Sequence, residues 1–148
     1  MWILEQLARY AETDRTAIIY GQERLRYAAL DRQANAFAAY LRRTLPGDAP
    51  ILLYGHKELA LPVCMFGALR AGHGYIPVDT TYPPERVAQI AAQAHHHLLI
   101  AKQVRDGRTY TQVAPLDEEG RELELARIIG GEVSEAARVA AREMLSQM

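Results

Sequence analysis

The side chains that first suggest chemistry are five histidines, one cysteine and a few carboxylates. His95, His96 and His97 are adjacent in QAHHHLL. Neighbours along a strand point to opposite faces, so at most His95 and His97 could share an ion, and no Cys, Asp or Glu lies close in sequence to complete a tetrahedral set. They read as residues that open a strand. His56 follows the apolar run PILLYG, in a strand-to-helix loop of the kind that often carries function; packing or capping is the alternative. His73 stands between Gly72 and Gly74, whose backbone freedom suits a turn, so a direct catalytic role is not expected. Asp79 ends a strand and is placed to cap the helix that follows Pro83-Pro84. Glu118 and Glu119 fall in a first helical turn, where they complement the helix dipole. Cys64, in LPVCMFGAL, has no partner for an internal disulfide and reads as a small core residue. On these grounds no catalytic, cofactor-binding or metal-ligating residue is assigned.

What is missing narrows the function further. A nucleotide-using site needs backbone N–H groups that cradle phosphates, usually in a glycine-rich loop with a Lys. Neither GxxxxGK[ST] nor a Ser/Thr/Gly-rich lysine loop occurs in the sequence. GxSxG, HExxH and paired CxxC motifs are also missing, which removes the hydrolase and zinc readings. A net charge of -1 gives no basic footprint for nucleic acid or an anionic membrane. The start MWILEQLARYAETD has no basic n-region or long apolar h-region, and no run approaches the ~20 apolar residues that span a bilayer. A cytoplasmic location is the expectation.

With 148 residues, 49% of them hydrophobic, the chain can bury a core, and its periodicity says how. Trp2, Ile3, Leu7 and Tyr10 recur at helical spacing, and TAIIYGQERLRY gives two β-prone runs around Gly21-Gln22. Leu30, Ala34, Phe37, Ala38 and Leu41 mark one face of a helix that Pro46-Gly47 terminates. ILLYG then reads as a buried strand, ELALPVCMFGALRAG as a crossover helix capped by Gly72, and GYIPVD as the next strand: one βαβ unit with two parallel strands. After the helix ERVAQIAAQA, HHLLIAKQV and TYTQVAPL flank Asp106-Gly107, a hairpin signal. Asp117 precedes a helix in which Leu123, Ala126 and Ile129 share a face and Gly130-Gly131 forms the stop; Ser134 caps a last helix. The predicted fold class is α/β: a partial parallel sheet with a βαβ crossover, then a β-hairpin and two C-terminal helices.

On these residues the chain resembles two families. LRYAALDRQANAFAAYLR is similar to the first core motif of AMP-forming adenylation enzymes, and LRAGHGYIPVDTTYPPERV to their second. The pairing of ILLYGHKE with AGHGYIPVD narrows the resemblance to D-alanine:carrier-protein ligases, over residues 1 to about 93. That resemblance implies ATP- and magnesium-dependent activation of D-alanine and loading of a carrier protein for teichoic acid modification. In the family, however, the phosphate loop, amino-acid pocket and catalytic lysine lie beyond the matched motifs, so no site residue carries over. From about Ala88 the sequence resembles instead the C-terminus of the RecN family, DNA repair ATPases related to the SMC proteins. Glu85, Arg86, Val87 and Ala88 stand where that family has a histidine-containing switch, and its Walker motifs are missing.

The combined expectation is an adenylation-type fragment over residues 1–93 joined to a repair-protein-like hairpin and helices over 94–148. Three functions follow: a truncated D-alanine-activating ligase, inactive as this chain; a piece of the repair ATPase; or a non-catalytic chimera of the two. Expected partners are a carrier protein, through the ligase family, and other copies of the chain through open sheet edges. Neither membrane nor nucleic acid is expected to bind. No cofactor is assigned to this chain, ATP and magnesium belonging to the parent families.

Overall fold

A computed structural model describes residues 2–92, 94 and 96–146. In chain order the elements are α1 (Trp2–Ala11), β1 (Thr16–Tyr20), β2 (Glu23–Arg26), α2 (Tyr27–Thr44), β3 (Ile51–Tyr54), α3 (Ala60–Ala71), β4 (Tyr75–Val78), α4 (Pro84–Ala92), β5 (His96–Arg105), β6 (Arg108–Pro115), α5 (Glu118–Gly130) and α6 (Glu135–Ser146). They divide into two compact units, Met1–Asp48 with Gly55–Tyr75, and Ala49–Tyr54 with Ile76–Met148.

The first unit holds the N-terminal hairpin and three helices. β1 and β2 pair antiparallel across a turn in which Gly21 takes φ +59°, a left-handed value that favours glycine. The predicted face of α2 is the buried one: Leu30, Ala34, Phe37, Ala38 and Leu41 all lie inside. Val63, Cys64, Gly67 and Ala68 form the buried stripe of α3. Leu7, Leu25, Leu30 and Val63 form one core cluster. Arg70 adds a polar tie between α3 and α2, its guanidinium 2.5 Å from Asp31 Oδ1 and 3.2 Å from the Asp31 carbonyl. Of the expected apolar face of α1 only Leu7 is buried, and Trp2 is 72% exposed.

The second unit is a four-stranded sheet ordered β4-β3-β5-β6. β3 and β5 run parallel, in register from Ile51 opposite His96 to Tyr54 opposite Leu99. β5 and β6 form an antiparallel hairpin closed by Asp106 and Gly107, at φ +52° and +71°. Positive φ at both central residues matches the right-handed twist of the flanking strands, which is why Asp-Gly signals this turn. β4 is an outer strand, the place where a sheet tolerates Pro77, which donates no ladder hydrogen bond. Leu52, Val78, Val87, Ala88, Ala91, Ala94, Leu125, Ala126, Ala137 and Ala141 make one core. The α/β class is therefore the observed one. Two details differ from the sequence pattern. The hairpin extends the sheet that β3 begins instead of following it as a separate element, and on α5 the buried residues are Leu125 and the expected Ala126, while Leu123 and Ile129 are half-buried.

Candidate functional site

The second motif, Leu69 to Val87, falls on the end of α3, β4 and the start of α4. In the first unit, α3 ends where Gly72 turns left-handed at φ +95°, and the His73 N–H donates to the Ala68 carbonyl at 3.0 Å. That bond satisfies one of the orphan carbonyls of the last helical turn. His73 is 2% exposed. His56 lies half-buried in the loop after β3.

In the second unit, Asp79 is not the cap of α4. Its Oδ1 accepts from the Thr81 N–H at 2.9 Å and from the Thr81 hydroxyl at 2.8 Å, while its carbonyl accepts from the Tyr82 N–H. The chain turns once here before α4 starts at Pro84, so the side chain is consumed by its own turn before the helix begins. The motif is a device for reversing the chain twice around one short strand.

His95 lies outside the described residues. His97 is buried and its Nε2 lies 2.8 Å from the Ala91 carbonyl, so it serves the end of α4. Among the described residues, no group of three His, Cys, Asp or Glu is arranged to hold a metal ion. Cys64 is buried, and desolvation pushes its thiol up to about 12, away from thiolate chemistry. Glu118 and Glu119 do occupy the first turn of α5, as expected.

Two of the hollows formed by described residues lie in the second unit. One, of about 20 Å³, is lined by apolar side chains with Tyr54, His97 and Glu124 at its edges. The other, of about 360 Å³, is a groove along α5 and α6 lined by Glu118, Arg121, Glu122, Arg142, Leu145 and Ser146. Its cations face carboxylates. Glu122 accepts from Arg138 at 2.6 Å and from Arg142 at 2.9 Å, and Arg121 reaches the Ala94 carbonyl with Glu118 beside it. A triphosphate needs convergent donors without competing anions, and this groove carries two carboxylates. The residues present do not fit the phosphates of ATP.

Comparison with known proteins places this scaffold. The family described as AMP-binding enzyme matches residues 4–146. The D-alanine--D-alanyl carrier protein ligase of Bacillus anthracis (strain CDC 684 / NRRL 3495) is 36% identical over 107 residues, 70% of this chain and 21% of that protein. The ligase of Bacillus mycoides (strain KBAB4) is 36% identical over 104 residues, again 21% of its length. The chain thus spans about a fifth of the length of these relatives and resembles their N-terminal part. Among solved structures, the Klebsiella oxytoca NpsA N-terminal subdomain superposes with TM-score 0.54 at 22% identity, over 61% of this chain and 24% of that one. A second structure of that subdomain, in complex with 3-hydroxyanthranilyl-AMSN, gives 0.53. The resemblance of the final segment to the RecN family finds no support in these comparisons. With the match running through both the N-terminal motifs and the hairpin and helices that complete the sheet, the chain belongs to the family of AMP-binding enzymes.

Proposed function

We propose that this chain forms the N-terminal scaffold of a D-alanine-activating, AMP-forming ligase, and that it does not catalyse the reaction by itself. The observation that carries the reading is the 36% identity with D-alanine--D-alanyl carrier protein ligases over 70% of this chain. In this reading the whole enzyme works in the cytoplasm, where it adenylates D-alanine with ATP and magnesium and transfers it to a carrier protein for teichoic acid modification. This portion supplies rigid strands on which such a site is built. The expectation of inactivity rests on the sequence, in which no glycine-rich lysine loop occurs to hold the phosphates. Copies of the chain associate, in this reading, through the outer strands β4 and β6.

Pyrophosphate exchange tests both parts. The purified chain with ATP, magnesium and D-alanine should give no exchange; formation of D-alanyl-AMP would overturn the claim of inactivity. Grafted in place of the matching segment of the Bacillus anthracis ligase, the chain should preserve D-alanine-dependent exchange. A graft that folds but activates a different acid, or none, would overturn the D-alanine reading.

A further inference from the structure

β6 is an outer strand of the four-stranded sheet, and its register shows which of its backbone groups face away. The Leu116 N–H donates to the His97 carbonyl at 2.9 Å, in the same register that sets Leu98 opposite Pro115. Opposed residues of an antiparallel pair alternate between hydrogen-bonded and non-bonded. In steps of two from Leu116, the residues Ala114, Gln112, Tyr110 and Arg108 therefore spend their backbone groups on β5. Thr109, Thr111, Val113 and Pro115 aim theirs outward, where no described strand pairs with β6. From Thr109 to Ala114 the strand carries no charged residue and no proline, the usual guards of a sheet edge. β4, at the other edge, has only four residues, Pro77 among them. β5 meets β3 only from His96 to Leu99, so towards its turn the hairpin is a two-stranded ribbon. Such a ribbon is marginal in water without a further strand.

We propose that β6 is the site at which a second copy of this chain adds, antiparallel and across a two-fold axis at Thr111. The proposal rests on the association through outer strands read above and assigns it to one strand and one register. The two-fold sets Thr111 opposite Thr111 of the second copy, Thr109 opposite its Val113 and Val113 opposite its Thr109. Each of these residues directs both an N–H and a carbonyl outward, so every outward group of the three meets a complement. Pro115, with no N–H to give, falls beyond the paired row. Moving the axis one residue either way sets Pro115 against Thr109, or Val113 against the turn at Gly107, and loses bonds. A two-fold contact requires one patch to complement itself, and this row of donors and acceptors does so without a charge to neutralise. The join turns two marginal ribbons into one wider sheet, which gives the hairpin the further strands it lacks.

The test is sedimentation of the full chain from about 10 µM to about 1 mM, with amide exchange measured at both ends of that range. The mass should double with concentration. Exchange at Thr109, Thr111 and Val113 should slow by on the order of tenfold, while Tyr110 and Gln112, bonded to β5 in either state, change little. Thr111→Pro removes an outward donor and no bond of the hairpin, so it should remain a monomer with native protection at Leu52 and Leu53. The register has its own readout: under mild oxidation Thr111→Cys should link to its copy, since opposed Cα atoms about 5.5 Å apart are within disulfide reach, and Thr109→Cys should not. Cys64 is buried and stays out of this reaction. A chain that is monomeric throughout, or equal linking at the two positions, would overturn the proposal. So would a dimer that survives Thr111→Pro, although association of copies would then stand through β4. Protection of the three amides only in the graft into the Bacillus anthracis ligase would give the edge to the rest of that protein and likewise overturn self-pairing, while pyrophosphate exchange by the graft reports on the ligase reading separately. Should Thr111→Pro fail to fold, the two cysteine variants decide alone.

Discussion

Gly67 lies where α3 meets α2, and a Cβ built on it would stand 2.6 Å from Phe37 Cδ1 and 3.0 Å from the Ala34 carbonyl oxygen. The ring can rotate away, but the carbonyl belongs to a helix and cannot follow. Gly67→Ala would gain up to ~1 kcal/mol of helix propensity and lose ~1–3 kcal/mol to overpacking. The expected net result is a lower urea midpoint without a change in slope; a higher midpoint would show that α2 yields. Cys64, on the same helix, is 3% exposed with its thiol pushed up to about 12. It should resist a disulfide reagent in the native protein at neutral pH and react promptly in urea, so prompt native labelling would show that α3 opens locally. At this scale sequence legibility was uneven. The burial of Cys64 follows from its apolar neighbours, whereas the close approach at Gly67 depends on Phe37 and Ala34, some thirty residues earlier, which no local pattern reveals.

Between elements, Glu122 of α5 is held by Arg138 and Arg142 of α6. The hydrogen bond from Arg142, then that from Arg138, depress the carboxyl to about 2. A depressed acid stabilises the fold above its unfolded value near 4.5, and the stabilisation is lost as pH falls through the folded value near 2. Glu122→Gln should therefore melt below the wild type at neutral pH, with the gap closing between about 4.5 and about 2. A gap that does not change across that window would mean the arginines do not hold the carboxylate. The helix and turn boundaries near this pair were legible because each is set by partners a few residues away. Asp117 accepts from the Gly120 N–H at 2.8 Å and Ser134 from the Ala137 N–H at 3.2 Å, as their positions suggest. Asp79 misled because two nearby donors, the Thr81 amide and hydroxyl, compete for a carboxylate that looks equally suited to the later helix.

For the whole chain, the sequence does not say whether the part after residue 93 shares a core with the part before it. Local periodicity cannot answer that, because strand order is a non-local property: β5 inserts beside β3 although α3, β4 and α4 separate them in sequence. The structure joins them, since β3 pairs with β5 and the core of Leu52, Val78, Val87, Ala88 and Ala91 is completed by Leu125, Ala126, Ala137 and Ala141. A chain cut after residue 93 would keep Leu7, Leu25, Leu30 and Val63 together but strip the partners from Leu52, Val78 and Val87. Such a chain should retain slow amide exchange in α2 and α3 and lose it at Leu52 and Leu53, with aggregation through the bared strand. Native protection at Leu52 and Leu53 in the shortened chain would mean that β3 is held without β5. In that case the helices α5 and α6 would decorate the sheet and not close it, and the N-terminal motifs would be the whole of the folding unit that carries them.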